Sequence, residues 1–229
     1  MVDPEENSEI VDVAALAEEA IRKHFELEEQ ILKKLLQLER DYRDHYAMHL
    51  KEMQFQDSML TIMSGITKEF LEANKNGPCC DITAVYADTT DDGMDEYSKC
   101  LEKLRTSCCR LMQSIKNLRT LCLEFTDLYG CLNLDTKSPF IEGDHIHKPI
   151  AYFVEVVDHI FRFFYARTLK LQVSTHQMDP ERLECLAKHK ILLQKNDDFN
   201  EYFNTELGYC KCLEPLLPCP HENKLNYPV

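Results

Sequence analysis

Near the end of the chain, three cysteines and one histidine have the residue types of a metal site. Cysteine thiolates and histidine imidazoles are ligands that zinc binds in tetrahedral sites. The first two cysteines have the spacing C-x-C, however, whereas the common zinc-binding knuckle is C-x2-C. Two interpretations stay open: a zinc site that clamps the tail, or a proline-rich tail whose thiols pack on the protein. The candidate ligands are Cys210, Cys212, Cys219 and His221.

Two histidines in a loop form a weaker candidate. His145 and His147 are two residues apart, and Glu142 and Asp144 lie beside them. Imidazole and carboxylate groups together suit several transition metals. A polar, solvent-exposed loop also has this composition, and it is the interpretation that we favour.

A third group lies on the predicted first helix, where Glu39 and Asp41 precede His45 and His49. Helical di-iron centres combine glutamates with E-x-x-H pairs, and no such pair occurs at these positions. We therefore expect these acids and histidines to make contacts between residues i and i+4 on a hydrated helix face.

Signatures of catalysis are missing from the sequence. The vicinal pairs Cys79-Cys80 and Cys108-Cys109 lack the C-x2-C spacing of thiol–disulfide catalysts. Neither a phosphate-binding loop, a nucleophile elbow nor an HExxH zinc motif occurs. We therefore expect a protein that is not an enzyme and has no catalytic residues. We also expect no cofactor, with zinc as the alternative.

Charge and composition exclude other classes. The chain of 229 residues has a formal net charge of −14, and its basic residues are interleaved with acidic ones. This distribution argues against direct nucleic-acid binding. The acidic N-terminus has no signal-peptide pattern, and charges interrupt the most apolar stretch, so we expect no membrane span. The eleven cysteines are then expected to be thiols in an intracellular protein of the cytoplasm, the nucleus or both.

The spacing of apolar residues predicts an all-α fold, an elongated helical bundle or coiled coil of about four helices. At about 1.5 Å per residue, the very long first helix would measure roughly 100 Å. The predicted segments are a long N-terminal helix at 1–75, an acidic linker at 76–93, a heptad coiled-coil helix at 94–130, a loop at 131–148, a C-terminal helical region at 149–209 and a Cys/Pro-rich tail at 210–229.

The second helix carries the clearest periodic signal. Nine apolar or thiol-bearing residues are separated alternately by four and three positions, as at the a and d positions of a coiled coil. This seam either packs inside the chain or forms an exposed stripe, and we predict that it binds partners. The seam residues are Tyr97, Leu101, Leu104, Cys108, Leu111, Ile115, Leu118, Cys122 and Phe125.

Prolines mark helix starts in the C-terminal region. Pro149 suits the first turn of an aromatic-rich helix that extends to about Val173. Asp179 and Pro180 suit the N-cap and first position of the next helix, and a further helical stretch is predicted at about 198–207. The aromatic-rich helix is apolar on nearly every side, which is typical of a helix buried between neighbours.

Four features between residues 94 and 186 carry a family resemblance. They are the end of the seam helix, a Lys/Pro loop, the aromatic helix and the Asp-Pro pair, represented by Cys122, Glu124, Tyr129, Lys137, Pro139, AYFVEVVDHIFRFFYARTLKLQ, Asp179, Pro180 and Leu183. This region resembles the cyclin-dependent kinase 2-interacting protein family, although the chain lacks that family's tryptophans. The resemblance implies a non-enzymatic subunit of a larger assembly linked to genome maintenance and ribosome maturation.

The sequence therefore predicts a non-catalytic helical scaffold or adaptor subunit of a multiprotein complex. Its expected partners are other coiled-coil or helical proteins or a second copy of the chain, bound through the seam and the far end of the first helix. The alternative is a zinc-binding protein that uses the C-terminal Cys/His cluster.

Overall fold

The computed structural model describes the backbone of residues 4–75, 83–145 and 147–213. No β-strand occurs in these ranges, and none of their helices has the length and apolarity needed to cross a membrane. The predicted all-α helical bundle with a very long first helix is confirmed. Its elements are α1 (Pro4–Lys75), α2 (Thr83–Gly130), α3 (Pro139–Glu142), α4 (Ile150–His176), α5 (Leu183–Leu192), α6 (Asp197–Gly208) and a 3-10 helix at Tyr209–Leu213.

The length of α1 follows from its composition. Its 72 residues contain a proline only at the first position and a single glycine. Ion pairs between successive turns support it, such as Lys33 with Glu29 at 2.7 Å and Lys23 with Glu19 at 3.3 Å. The helix ends at Lys75, the boundary that the sequence predicts, and an Asn-Gly-Pro sequence, which is typical of a helix end, follows it.

The chain divides into two compact units, and unit 1 comprises Met1–Arg40, Arg119–His159 and Glu201–Val229. Its described interior is mostly aliphatic and aromatic, with side chains from α1, α2, the loop after α2, α4, α6 and the 3-10 helix. The buried apolar residues are Ile31, Leu35, Leu38, Phe125, Leu132, Ile150, Phe153, Val156, Val157, Phe203, Leu207, Cys210 and Cys212.

Unit 2 comprises Asp41–Leu118 and Ile160–Asn200. Side chains of α1, α2, α4 and α5 meet in two apolar clusters. The first cluster is Leu60, Met63, Tyr97, Cys100, Leu104 and Leu186, and the second is Met53, Cys108, Leu111 and Leu171.

Helix α2 begins earlier than the sequence predicted. Residues 83–93, which were assigned to the acidic linker, are helical, and residues 76–82 lie outside the described ranges. Ala84 and Ala87 are strong helix formers, and extending an existing helix costs less free energy than starting one. The acidic and turn-forming residues of this stretch therefore do not prevent the helix.

Helix α5 begins later than predicted, at Leu183. The backbone N–H of Arg182 donates to the carbonyl oxygen of Asp179 at 3.1 Å. The backbone N–H of Glu181 donates to the Asp179 carboxylate at 3.0 Å. Asp179 and Pro180 therefore form a turn before the helix, because the Asp side chain satisfies the local backbone there.

The predicted loop at 131–148 contains the short helix α3. Ser138 is its N-cap: the Ser138 hydroxyl accepts from the backbone N–H of Ile141 at 3.2 Å and donates to Glu28 at 2.5 Å. Pro139 occupies the first position, as is common in helices. After it, Gly143 adopts a φ of 74°, and a Cβ there would lie 2.8 Å from the carbonyl oxygen of His147. A side chain at 143 would therefore strain this turn.

Candidate functional site

The predicted seam of α2 is buried inside the chain's own fold. Seven of its nine residues are buried, while Leu101 and Cys122 are half-buried. In unit 2, Tyr97 and Leu104 pack with Leu60, Met63 and Leu186. Of the two arrangements left open for the seam, the structure shows internal packing, and in this conformation little of the seam is accessible to another protein. Partner binding by the seam stays a prediction.

The exposed surface of unit 2 contains a different apolar stripe, on α4. Tyr165, Leu169 and Val173 are 43%, 42% and 48% exposed. They follow one another at intervals of four residues and therefore line one side of the helix. Phe161 extends the stripe, because its ring stacks on that of Tyr165 with 5.9 Å between centroids. We call these four residues the α4 stripe.

The charged residues of α4 that accompany the stripe are basic. Between Ile160 and His176 the sequence contains Arg162, Arg167 and Lys170 but no Asp or Glu. Arg162 and Lys170 are exposed beside the stripe. In a chain with a net charge of −14, cations beside an exposed apolar stripe favour acidic segments of a binding partner.

The expectation that His45 and His49 lie on a hydrated helix face is wrong. Both side chains are buried in unit 2, at 2% and 3% exposure. The ring of Phe164 packs edge-on against His45 at 4.7 Å and against His49 at 5.6 Å. His45 Nδ1 also lies 2.8 Å from the Ser114 hydroxyl, within hydrogen-bond distance. Of the two acids in that group, Glu39 is buried and Asp41 is half-buried.

The burial of these histidines has a signal in the sequence. Counting polar residues as well as apolar ones, buried positions of α1 recur at intervals of three or four residues from Ile31 to Thr67, and Glu39 is one additional buried position within that range. The apolar residues alone show a drift, because polar side chains interrupt the pattern. The positions are Ile31, Leu35, Leu38, Tyr42, His45, His49, Met53, Gln56, Leu60, Met63 and Thr67.

A chain of hydrogen bonds crosses the interior of unit 2. His189 on α5 donates from Nε2 to Gln56 Oε1 at 2.9 Å, and Gln56 Nε2 donates to the Ser107 hydroxyl at 2.8 Å. Ser107 in turn donates to Glu52 at 2.5 Å, and Arg110 donates to both Glu52 oxygens at 2.8 and 2.9 Å. We call these five residues the polar chain. It joins α5, α1 and α2 and ends in an ion pair at the surface.

Burial decides the charge state of the groups in this interior. It lowers the pKa of His189 and His45 to about 4. It also lowers the pKa of His49 to about 3, together with the charges of Arg167 and His45. Burial opposes ionisation of Glu52, but hydrogen bonds from Arg110 and Ser107 outweigh it and lower the pKa of that carboxyl. The three histidines are therefore neutral at pH 7.

The predicted metal ligands are only partly described. Cys210 and Cys212 are buried in unit 1, whereas Cys219 and His221 lie outside the described residues. Within the described ranges, no group of three or more His, Cys, Asp and Glu side chains could hold a metal ion. The C-terminal zinc site as a whole stays a prediction.

The loop histidines separate. His145 is exposed, whereas His147 is half-buried and its Nδ1 lies 2.7 Å from the Asp144 carboxylate. The other Asp144 oxygen accepts from the His147 backbone N–H at 2.7 Å. Glu142 is the last residue of the four-residue helix α3. The Asp144–His147 pair thus holds a turn of the loop.

The two vicinal cysteine pairs also differ in what is described. Cys108 is buried, and burial raises the pKa of its thiol to about 11, whereas Cys109 is exposed. Cys79 and Cys80 lie outside the described residues. The Cys108 thiol is therefore a core group that stays protonated at pH 7.

In comparisons with known proteins, no family model, no curated protein and no solved structure matches the chain.

Proposed function

We propose that this chain is a non-catalytic helical scaffold or adaptor subunit that binds a partner through the α4 stripe. The partner segment would be an acidic amphipathic helix. The observation that carries the proposal is the combination of exposed apolar side chains at helical spacing with basic neighbours in an acidic protein.

The spacing of the α4 stripe suits a helix as the ligand. Residues at intervals of four on one helix present a row that the i, i+3, i+4 and i+7 positions of a second helix can cover. Covering the exposed parts of Tyr165, Leu169 and Val173 would contribute about 1 kcal/mol each. These side chains are large apolar groups left in water, which is typical of interaction surfaces when they are contiguous.

The charges determine which helix is favoured. Lys170 and Arg162 beside the stripe attract carboxylates at the edges of a partner helix and repel basic ones. A second copy of the chain is disfavoured at this surface, because α4 faces the same basic residues in its own counterpart when the contact is isologous.

The decisive experiment compares three baits in quantitative affinity purification with mass spectrometry: the wild type, Leu169→Glu with Val173→Glu, and Ile62→Glu. Ile62 is the matched control, because it is an exposed apolar residue of unit 2 on α1. We expect one protein to be retained by the wild type and the control but not by the double variant. Hydrogen exchange on the purified pair should then map its binding segment to an acidic amphipathic helix.

Three results would overturn the proposal: equal retention by all three baits, a binding segment that is basic, or retention of no protein. Ile21→Glu with Phe25→Glu tests the far end of the first helix, where both residues are 57% exposed. Loss of the partner with that variant alone would also overturn the α4 stripe as the docking surface. The mass of the isolated chain in solution separately reports self-association.

A further inference from the structure

A cleft of about 430 Å³ opens in unit 2 between α1, α4 and the segment that joins α5 to α6. Its volume lies in the range of sites that bind small molecules. The residues that matter for its chemistry are Tyr46, His49, Phe163, Arg167, Lys190 and Lys195. None of the four residues of the α4 stripe lines the cleft, so the cleft and the stripe lie on different sides of α4.

Arg167 is a half-buried cation in the wall of this cleft. Its guanidinium donates to the backbone carbonyl oxygen of Gln194 and lies over the ring of Phe163, 5.8 Å from the centroid. Neither group carries a negative charge. Burial lowers the pKa of Arg167, which shows that water compensates its charge only in part. The Nε atom is covered and has no hydrogen-bond partner in the described residues.

The other charges of the cleft do not neutralise Arg167. Lys190 pairs with Asp57 at 3.5 Å. Asp197 acts on Tyr46, whose pKa it raises in addition to the larger effect of burial. The lining thus contains three basic side chains and two carboxylates, which leaves one positive charge in excess. Buried cations without a counterion are costly, and an anionic ligand would remove that cost.

His49 supplies a second polar group in the same wall. It is 97% buried, since only 3% of it is exposed, and its Nδ1 has no partner in the described residues. The charge of Arg167 contributes to the lowered pKa of His49, so the two side chains are close. The covered Nδ1 is not open to a ligand in the cleft, so His49 contributes its neutral imidazole ring to the wall and not a hydrogen bond from that atom. Unsatisfied buried polar atoms of this kind are uncommon in proteins.

The remaining wall is apolar. Phe163 stacks on Phe199 with 3.4 Å between ring centroids, and Leu50, Met53 and Leu193 complete that side of the cleft. Aromatic and thioether side chains accept flat or aliphatic groups. We propose that this cleft binds a small organic anion, with a carboxylate or phosphate group paired to Arg167 and an apolar or aromatic body packed against Phe163 and Met53.

Calorimetric titration of the full chain tests this site with four probes: 1-naphthoate, 1-naphthyl phosphate, the neutral 1-naphthalenemethanol and inorganic phosphate. We expect one of the two naphthyl anions to bind at least tenfold more tightly than the neutral probe and than phosphate alone. The two anions separate a carboxylate preference from a phosphate preference. Equal binding of the neutral probe, or no binding of either anion at millimolar concentration, would overturn the proposal.

Variants assign the binding to the cleft. Arg167→Gln should weaken the better anion at least tenfold, and Arg162→Gln is the matched control, because it removes the same charge from α4 outside the cleft. Lys195→Glu, at an exposed position of the lining, should also weaken it without disturbing the fold. Equal loss with Arg162→Gln, or full affinity in both Lys195→Glu and Arg167→Gln, would contradict the site. Leu169→Glu with Val173→Glu should leave this affinity unchanged, which separates the cleft from the α4 stripe.

Discussion

The interiors of the two units differ in how many buried polar side chains they contain. In unit 2, His45, His49, Gln56, Ser107 and His189 are all buried. The polar chain joins three helices through Gln56, Ser107 and His189. In unit 1, the described interior is mainly apolar. Its buried polar residues, Glu39 and Ser138, have partners in Lys211 at 3.7 Å and Glu28 at 2.5 Å.

The difference shows how one all-α chain achieves both stability and specificity. Apolar contacts supply most of the stabilisation but tolerate sliding of one helix along another by a turn. A hydrogen bond between Gln56 and Ser107 forms only when α1 and α2 are in one register, because both groups are costly to bury unpaired. We infer that unit 2 has its helix register fixed by the polar chain, whereas unit 1 depends on the shapes of its apolar side chains.

The largest loss of stability should come from substitutions in the apolar seam of unit 2. This follows if apolar burial holds the helices together and the polar chain fixes only their register. Leu111→Asp combined with Leu118→Asp places two carboxylates at positions that are 0% and 3% exposed. Each change removes about 1.5–3 kcal/mol of apolar burial and adds the cost of a desolvated charge. We expect loss of the cooperative thermal transition in circular dichroism.

The control for that variant is Leu123→Asp with Leu134→Asp. Both leucines belong to unit 1 and are 54% and 53% exposed. This pair should melt within a few degrees of the wild type. A seam variant that melts as the control does would mean that the polar chain, and not the apolar seam, holds unit 2 together.

The next largest effect should be a difference between the two units in how much stability each loses in acid. The pKa values of His45, His49 and His189 lie at about 3–4 in the folded protein, below the usual 6.5 of an unfolded chain. As the pH falls below 6.5, the unfolded state takes up protons that the folded state refuses, so stability decreases until the pH reaches about 3–4. At pH 5 the loss is about 2 kcal/mol for each histidine. Hydrogen exchange should therefore accelerate in unit 2 before unit 1, whose described histidines are exposed or half-buried.

A variant pair assigns this acid response to burial. His49→Leu removes one titrating group, so the pH dependence of the unfolding free energy between pH 6.5 and 4 should become less steep by about one proton. His159→Gln is the control, because it removes an exposed histidine of unit 1 instead of a buried one; a slope that changes as much as in His49→Leu would mean that burial is not the cause. Equal exchange rates in both units at pH 5 would contradict the comparison between them.

Helix periodicity predicts much of this fold. It does not predict the positions of the buried polar groups, for a physical reason. The long uninterrupted α1 and the seam of α2 are visible because apolar side chains repeat at helical spacing. Spacing alone does not say whether a stripe is covered by the same chain or by another. The structure places Leu111 in the chain's own core and leaves Leu169 exposed, although both occur in apolar helical patterns.

The polar chain could not be predicted from the sequence, because its residues are hydrogen-bonded to partners that are distant in sequence. Gln56 and His189 are 133 positions apart, and each alone has the composition of a hydrated surface. His45 and His49 were assigned to such a surface for that reason. Their three-and-four spacing with Tyr42 and Met53 was the available signal, and it becomes visible only when polar residues are allowed in the repeat.

A smaller effect should come from Gln56→Leu, which interrupts the polar chain without changing the helices. It leaves Ser107 without its donor and His189 without its acceptor, at a cost of about 1–3 kcal/mol. Adding His189→Leu should cost less than the sum of the single variants, because two apolar groups then face each other. In unit 1, Ser138→Ala removes an N-cap and should cost about 1 kcal/mol. Chemical denaturation measures all four, and strict additivity of the Gln56 and His189 variants would exclude coupling through the chain.

The smallest effect should come from the surface end of the polar chain. Arg110 is half-exposed, and its two hydrogen bonds to Glu52 are open to water and salt, so Arg110→Ala should cost only about 0.5–1 kcal/mol at low salt. The same variant should raise the pKa of Glu52, since hydrogen bonding from Arg110 helps to keep it low, and NMR titration of that carboxyl measures the change.

Lys99→Ala is the control, because its pair with Asp95 is exposed on both sides and touches no interior group. A cost for Arg110→Ala that equals the cost of Gln56→Leu would mean that the chain acts as one unit from His189 to the surface. A small cost with a raised pKa of Glu52 would place the register-fixing step at Gln56 and Ser107, where water is excluded and an unpaired group is most costly.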